Sequence, residues 1–149
     1  MKYFEDIEIG DLAEYGPLDV TAEDIKRFAA EYDPQPFHLD EEAGKATHFG
    51  GLAASGWHTA AMTMKLLIAG DGGEHVASLG SPGFDDLRWR RPVRPGDRLR
   101  VTSEAIDKKP SESRPDMGVV RFQVNTLNQD DEVVMSVITI AMIARREAA

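Results

Sequence analysis

The sixteen residues from Ala54 to Ala69 read Ala-Ser-Gly-Trp-His-Thr-Ala-Ala-Met-Thr-Met-Lys-Leu-Leu-Ile-Ala. They carry one charge, Lys65, and no continuous polar face. A helix that is apolar on all sides is a buried helix. Small residues, Ala53, Ala54, Ser55 and Gly56, crowd its start and let another backbone or a ligand come close. The stretch therefore predicts a central helix that the rest of the chain must cover. Phe49-Gly50-Gly51 is a break before it, and Gly70-Asp71-Gly72-Gly73 is a loop after it.

Beyond that loop the pattern changes to period two. Leu99, Val101, Ser103 and Ala105 alternate with Arg98, Arg100, Thr102 and Glu104. Val120, Phe122, Val124 and Thr126 alternate with Arg121, Gln123 and Asn125. Asn128 to Asp131 is a polar turn. Val133 to Ala144 is nearly continuous apolar and β-branched, which suits a strand covered on both faces. Lys108 to Asp116, with two prolines, predicts a loop between strands.

Before the central helix, Leu12 to Val20 predicts a strand interrupted at Gly16-Pro17. Thr21 caps a helix whose first turn carries Glu23 and Asp24, where the helix dipole favours negative charge. Ile25, Phe28, Ala29 and Tyr32 form its apolar face, and Asp33-Pro34 ends it. Pro34 to Leu39 is expected to be irregular or extended, and Asp40 to cap a short helix over 41–46. A buried helix and several long antiparallel strands close most simply as an α+β fold, a curved sheet wrapped around the helix. No internal repeat or linker divides the chain, so residues 1–149 are expected to form one domain.

Composition narrows the function classes. The chain has 149 residues, 17 Lys+Arg against 26 Asp+Glu, and a net charge of −9. That balance argues against a nucleic-acid partner, which needs a basic face. The absence of cysteine excludes a thiolate nucleophile and any Cys-ligated metal site. The longest uncharged stretch, Phe49 to Met64, is too short and too weakly apolar to span a bilayer. The acidic N-terminus does not read as a targeting segment, and a cytoplasmic location is expected. Charge is also unevenly spread. Residues 1–42 hold 13 acids and three bases, whereas residues 88–100 hold six arginines and one acid, Asp97. An arginine-dense segment in an acidic protein suits an anionic ligand, because the planar guanidinium can donate two parallel hydrogen bonds to phosphate. The plainer reading is that Arg98 and Arg100 line the wet face of a strand.

Asp33 and His38 lie five residues apart in a stretch bracketed by Pro34 and Pro36. Proline fixes the backbone, so both side chains can be held with little entropy to lose. Histidine is the side chain best suited to general acid–base work near neutral pH, and a carboxylate can orient its ring or a water. On spacing alone a structural histidine beside a structural acid is the better reading. His48 and His58 follow at ten and twenty residues, a spacing that matches no common metal-ligand motif, so no metal is expected. His58 is expected on the central helix with its ring hydrogen-bonded, His48 near a site mouth, and Trp57 and Met62 in the core.

The segment Asp33-Pro34-Gln35-Pro36-Phe37-His38, with Ala43, Phe49-Gly50 and Ala54-Ser55-Gly56 after it, resembles the signature of the MaoC-like dehydratases, the (R)-specific enoyl-CoA hydratase group. The family pattern is Asp, any residue, Asn, Pro, an aliphatic residue and His, then His-Gly at the start of the central helix. The resemblance continues through Arg91-Pro92-Val93, Pro95-Gly96-Asp97 and Asn128-Gln129. It implies a hotdog fold, a homodimer or higher oligomer joined through its sheets, and reversible addition of water to a 2-enoyl thioester. It implies no cofactor beyond the coenzyme A of the acyl-CoA substrate itself. Carried over by position, Asp33 and His38 are the catalytic pair, and the Gly56 amide points at the thioester oxygen. Phe37, Phe49, Ser55 and Trp57 are expected around the substrate. Local charge, and not the resemblance, suggests that one or more of Arg88, Arg90, Arg91 and Arg94 meets the coenzyme A phosphates. Gln35, Phe37, Ser55 and Met64 depart from the family pattern, which implies a substrate other than a plain short-chain enoyl group. Two rival functions share the fold. A hotdog thioesterase needs a carboxylate on the central helix, and 53–69 holds none. A non-catalytic acyl-CoA binder needs no Asp33–His38 pair.

Overall fold

The computed structural model describes residues 1–69 and 75–146. The expected Gly70–Gly73 loop lies outside them. One five-stranded antiparallel sheet runs in the order β1-β3-β4-β5-β2, with β1 Leu12–Asp19, β2 Ser78–Trp89, β3 Arg98–Pro110, β4 Met117–Leu127 and β5 Val133–Ala144. Four helices precede β2: α1 Ala22–Tyr32, α2 Pro36–Leu39, α3 Glu41–Lys45 and α4 Gly56–Ala69.

The caps are those the sequence predicts. Thr21 accepts a hydrogen bond from the Asp24 amide at 3.1 Å, and Asp40 accepts one from the Ala43 amide at 2.8 Å. Gly16-Pro17 falls in a register shift between Tyr15 and Leu18 of β1. Asn128 Oδ1 accepts from the amides of Asp130 and Glu132 and closes the β4–β5 turn.

Three expectations are corrected, and one strand, β2, went unread in the sequence. Pro36–Leu39 is one turn of helix rather than extended chain, with Pro36 in the first turn, where its missing N–H costs nothing. β3 runs on to Pro110, paired with Gly118, so the connecting loop is shorter than 108–116. β2 has no period-two signature, since Gly80, Pro82, Gly83, Asp85 and Asp86 all disfavour strands. It forms because β5 provides the ladder, with three register shifts absorbing those residues, and an edge position tolerates proline. In β5, residues Val134–Val137 are buried, but those from Ile138 to Met142 are only partly covered.

Helix α4 packs Met62 and Leu66 against Leu99, Val101, Val124 and Val137 on the inner face of the sheet. A polar bridge fixes it there. The Thr63 hydroxyl donates to the Thr59 carbonyl at 2.9 Å, so Thr126 of β4 donates to Thr63 at 2.6 Å. Its opposite face is left uncovered by the described residues: Trp57, Met64 and Ile68 are exposed. Among the described residues the helix is therefore buried on one side only. Trp57, expected in the core, lies on that open face.

Candidate active site

Asp33 is the residue that ends α1. Its amide still donates to the Ala29 carbonyl at 2.9 Å, while its own backbone has left the helical region. A carboxylate is unfavourable at the negative end of a helix dipole and needs compensating donors. Two are present. The Ser55 hydroxyl donates to Oδ2 at 2.7 Å, and the Gln35 side-chain amide donates to Oδ1 at 2.7 Å. These two hydrogen bonds, that of Ser55 first, hold the Asp33 carboxyl below the usual carboxylate range, against the opposing effect of burial. Asp33 is a carboxylate at neutral pH.

His38 sits in the single turn of α2 and is buried. Its Nδ1 lies 2.6 Å from the Ala53 carbonyl oxygen. A carbonyl only accepts, so Nδ1 carries the proton, and the neutral ring presents its lone pair at Nε2. That nitrogen is 3.4 Å from Asp33 Oδ2. The Ala53 amide returns a long hydrogen bond to the Phe37 carbonyl, so α2 and the strand-like segment before α4 clasp each other. Proline at 34 and 36 sets the path of the chain between acid and base.

Helix α4 begins at Gly56, beside this pair. First-turn amides have no intrahelical acceptor. Among the described residues the Gly56 N–H donates to no other group. The Trp89 indole lies directly on Gly56: a Cβ there would sit 2.5 Å from the ring. Glycine is thus required by the packing of Trp89 as well as by access to the amide. Trp57 meets Trp89 edge to face, with ring centroids 5.2 Å apart.

Asp33, His38 and Gly56 line one cavity of about 510 Å³. Phe37, His48, Phe49 and Trp57 also line it. Ser55 is fully buried and stands behind the acid rather than on the cavity wall. Met64 lines a different cavity, apolar and about 380 Å³, with Leu67, Ile68 and Phe84. That second cavity holds no histidine. The arginines divide. Arg90 and Arg91 line the cavity of Asp33 and His38, and Arg91 is paired with Glu132 at 2.9 Å. The Arg94 guanidinium donates to the Phe49 carbonyl and braces the loop before α4. Arg88 lies on the other side of the sheet, away from this cavity.

His58 corrects an expectation. Its Nδ1 is buried and without a hydrogen-bond partner, and the ring instead stacks on Phe28 with centroids 4.7 Å apart. Burial lowers its pKa, so the ring is neutral. Among the described residues no three His, Asp or Glu side chains gather into a group that could hold a metal ion. Two contributors lay beyond the sequence reading. Trp89 was legible in principle, because alternation along Arg88-Trp89-Arg90 puts the indole opposite both arginines. The role of Ser55 was not, since its partner is 22 residues away.

The chain is similar to known proteins along most of its length. The model of the MaoC like domain family matches residues 8–126. A MaoC-like dehydratase from Rhodospirillum rubrum is 45% identical, with a TM-score of 0.88 over 99% of this chain and 100% of that one. Protein YdeM of Bacillus subtilis, named as uncharacterized, is 34% identical over 85% of this chain and 88% of its own length. A 3-hydroxybutyryl-CoA dehydratase of Methylorubrum extorquens is 29% identical over 99% of this chain and 87% of its own. A Mycobacterium tuberculosis protein described as a double hotdog fold superposes with a TM-score of 0.82 at 16% identity, over 99% of this chain and 46% of that one, a likeness of fold alone. A five-stranded antiparallel sheet curled over one long helix is the hotdog arrangement, and with its acid, base and glycine in one cavity the chain belongs to the MaoC-like domain family.

Proposed function

We propose that this chain reversibly adds water to a 2-enoyl-CoA thioester, as an (R)-specific hydratase or, in the reverse direction, a 3-hydroxyacyl-CoA dehydratase. The observation that carries this reading is the Asp33–His38 pair, Nε2 to Oδ2 at 3.4 Å, in one cavity with the free Gly56 amide. A water in the cavity that hydrogen-bonds to both Nε2 and Oδ2 is oriented by the carboxylate and loses a proton to the pair. Its oxygen bonds to the β-carbon as the double bond's electrons move to the thioester oxygen. The Gly56 N–H, at the positive end of α4, stabilises that oxygen, and such a donor is worth about 3–4 kcal/mol. A proton then passes from the pair to the α-carbon, so that water's OH and H are both accounted for.

The relatives named as hydratases or dehydratases of CoA esters support the substrate class. Helix α4 holds no Asp or Glu, which leaves a thioesterase without its carboxylate. The exposed face of α4 and the β2 edge, with Phe84 and Trp89 exposed, support a homodimer joined at β2. Among the described residues no helix is long and apolar enough to cross a membrane, and a cytoplasmic place suits a CoA ester.

The test is loss of enoyl-thioester absorbance over a panel of 2-enoyl-CoA esters of varied length and branching. Turnover that disappears in His38→Ala supports the reading. No turnover on any ester by folded protein overturns it in favour of a binding protein.

A further inference from the structure

Among the described residues, every arginine but three has a carboxylate partner; the exceptions are Arg88, Arg90 and Arg94. Arg94 is spent on the Phe49 carbonyl. Arg88 donates only to the Leu87 carbonyl beside it, at 3.1 Å, and Arg90 only through Nε to the Ser136 hydroxyl, at 2.8 Å. In a chain of net charge −9, two uncompensated guanidinium groups two residues apart are exceptional in their neighbourhood. They line one cavity of about 580 Å³ on the outer face of the sheet. Its other polar walls are Gln123 and Asn125 of β4, Ser136 of β5, and Asp86. Asp86 comes within ion-pairing distance of neither arginine. The Asn125 side-chain nitrogen donates to no other group, and Ser136, itself buried, still has its hydroxyl proton to give.

We propose that Arg88 and Arg90, with Asn125 and Ser136, form a phosphate site that holds the phosphorylated nucleotide end of the coenzyme A thioester. The ligand's identity rests on the function proposed above; the anion chemistry does not. Guanidinium forks with neutral donors between them suit phosphate oxygens, and an acidic protein needs local positive charge to receive a polyanion. Position supports the pairing. Arg90 lies one residue past the end of β2 and lines both this cavity and the cavity of Asp33 and His38. Trp89, between the two arginines, packs on Gly56 from the inner face. The two cavities therefore meet at Arg90, which gives an arm anchored at the thioester a route toward the arginines.

Calorimetric titration with coenzyme A, its 3′-dephospho form and pantetheine tests this without any turnover. Arg88→Gln and Arg90→Gln should each weaken coenzyme A binding by roughly ten-fold and leave pantetheine binding as it was. Arg98→Gln removes the same charge from an exposed pair with Asp19 and should leave coenzyme A affinity unchanged. If the loss is confined to coenzyme A, the arginines hold the 3′-phosphate. If the 3′-dephospho form suffers equally, they hold the diphosphate next to the pantetheine arm, and the phosphate site stands. Coenzyme A affinity indifferent to both substitutions, or altered equally by Arg98→Gln, overturns the site. Enoyl hydration with such indifference would sink this site alone, and coenzyme A affinity lost in both variants without hydration would sink only the hydratase reading.

Discussion

Ser55 Oγ lies 2.7 Å from Asp33 Oδ2 and ties the residue before α4 to the residue that caps the end of α1. This bond has two effects. It fixes the carboxylate opposite His38, and it is the largest cause of the lowered Asp33 pKa. In Ser55→Ala the Asp33 pKa rises toward its ordinary value, because burial is then opposed chiefly by the Gln35 hydrogen bond alone. A reaction that needs the Asp33 carboxylate should lose activity at a higher pH in the variant. The acid limb of the kcat/KM profile is therefore expected to move up in pH, with the alkaline limb unmoved. An acid limb that stays in place would separate Ser55 from the chemistry.

His38→Ala and Asp33→Asn should each cut kcat by roughly 10²–10⁴ while the protein stays folded. Asp33→Asn keeps the size of the side chain but cannot hold negative charge beside Nε2. Circular dichroism and turnover on the best enoyl ester check both. Near-normal kcat in either variant removes that residue from the acid–base pair.

Gly56→Ala places a Cβ into the Trp89 indole. Overpacking of this kind costs about 1–3 kcal/mol. Trp89→Ala alone removes buried contact, yet combined with Gly56→Ala it should recover part of that loss, because the two residues touch. Denaturation of the four forms measures the coupling. Strict additivity would show that the indole does not rest on Gly56.

His58 links pH to stability with a definite sign. Its pKa is lowered in the folded protein from an ordinary value of 6.5, chiefly by burial. Below that value the unfolded chain takes up a proton that the folded chain resists, so stability falls as pH drops through about 6.5 toward the lower folded value. Above about 7.5 the contribution is constant. His58→Phe keeps a ring against Phe28 and removes the titration. The difference in denaturation midpoint between wild type and variant should thus shift in favour of the variant as pH is lowered from 8 to about 5. A difference constant across that range would mean that His58 does not resist protonation.

Much of the site was legible because it is local. Asp33 and His38 are five residues apart, the prolines between them restrict the chain, and the small residues at 53–56 announce the start of a helix that something must approach. Caps at Thr21 and Asp40 are also local hydrogen bonds, and they formed as read. What escaped was set by distance in sequence. β2 is a strand only because β5 lies beside it, and its own Gly, Pro and Asp residues argue for a turn. Ser55 read as a departure from a pattern, while in space it is the donor that holds the acid.

By itself, then, the sequence determined the buried face of α4, the alternating strands, and an acid, a base and a glycine in the right chain order. Those follow from periodicity and backbone restriction, which act over a few residues. Only the tertiary structure decided that α4 leaves Trp57, Met64 and Ile68 uncovered, that Met64 belongs to a second cavity, and that one arginine cluster splits three ways. Arg91 meets Glu132, Arg94 braces Phe49, and Arg88 and Arg90 are left with free charge on the outer sheet. Strand alternation and edge position sort those side chains, and neither is fixed until the sheet has closed over the helix.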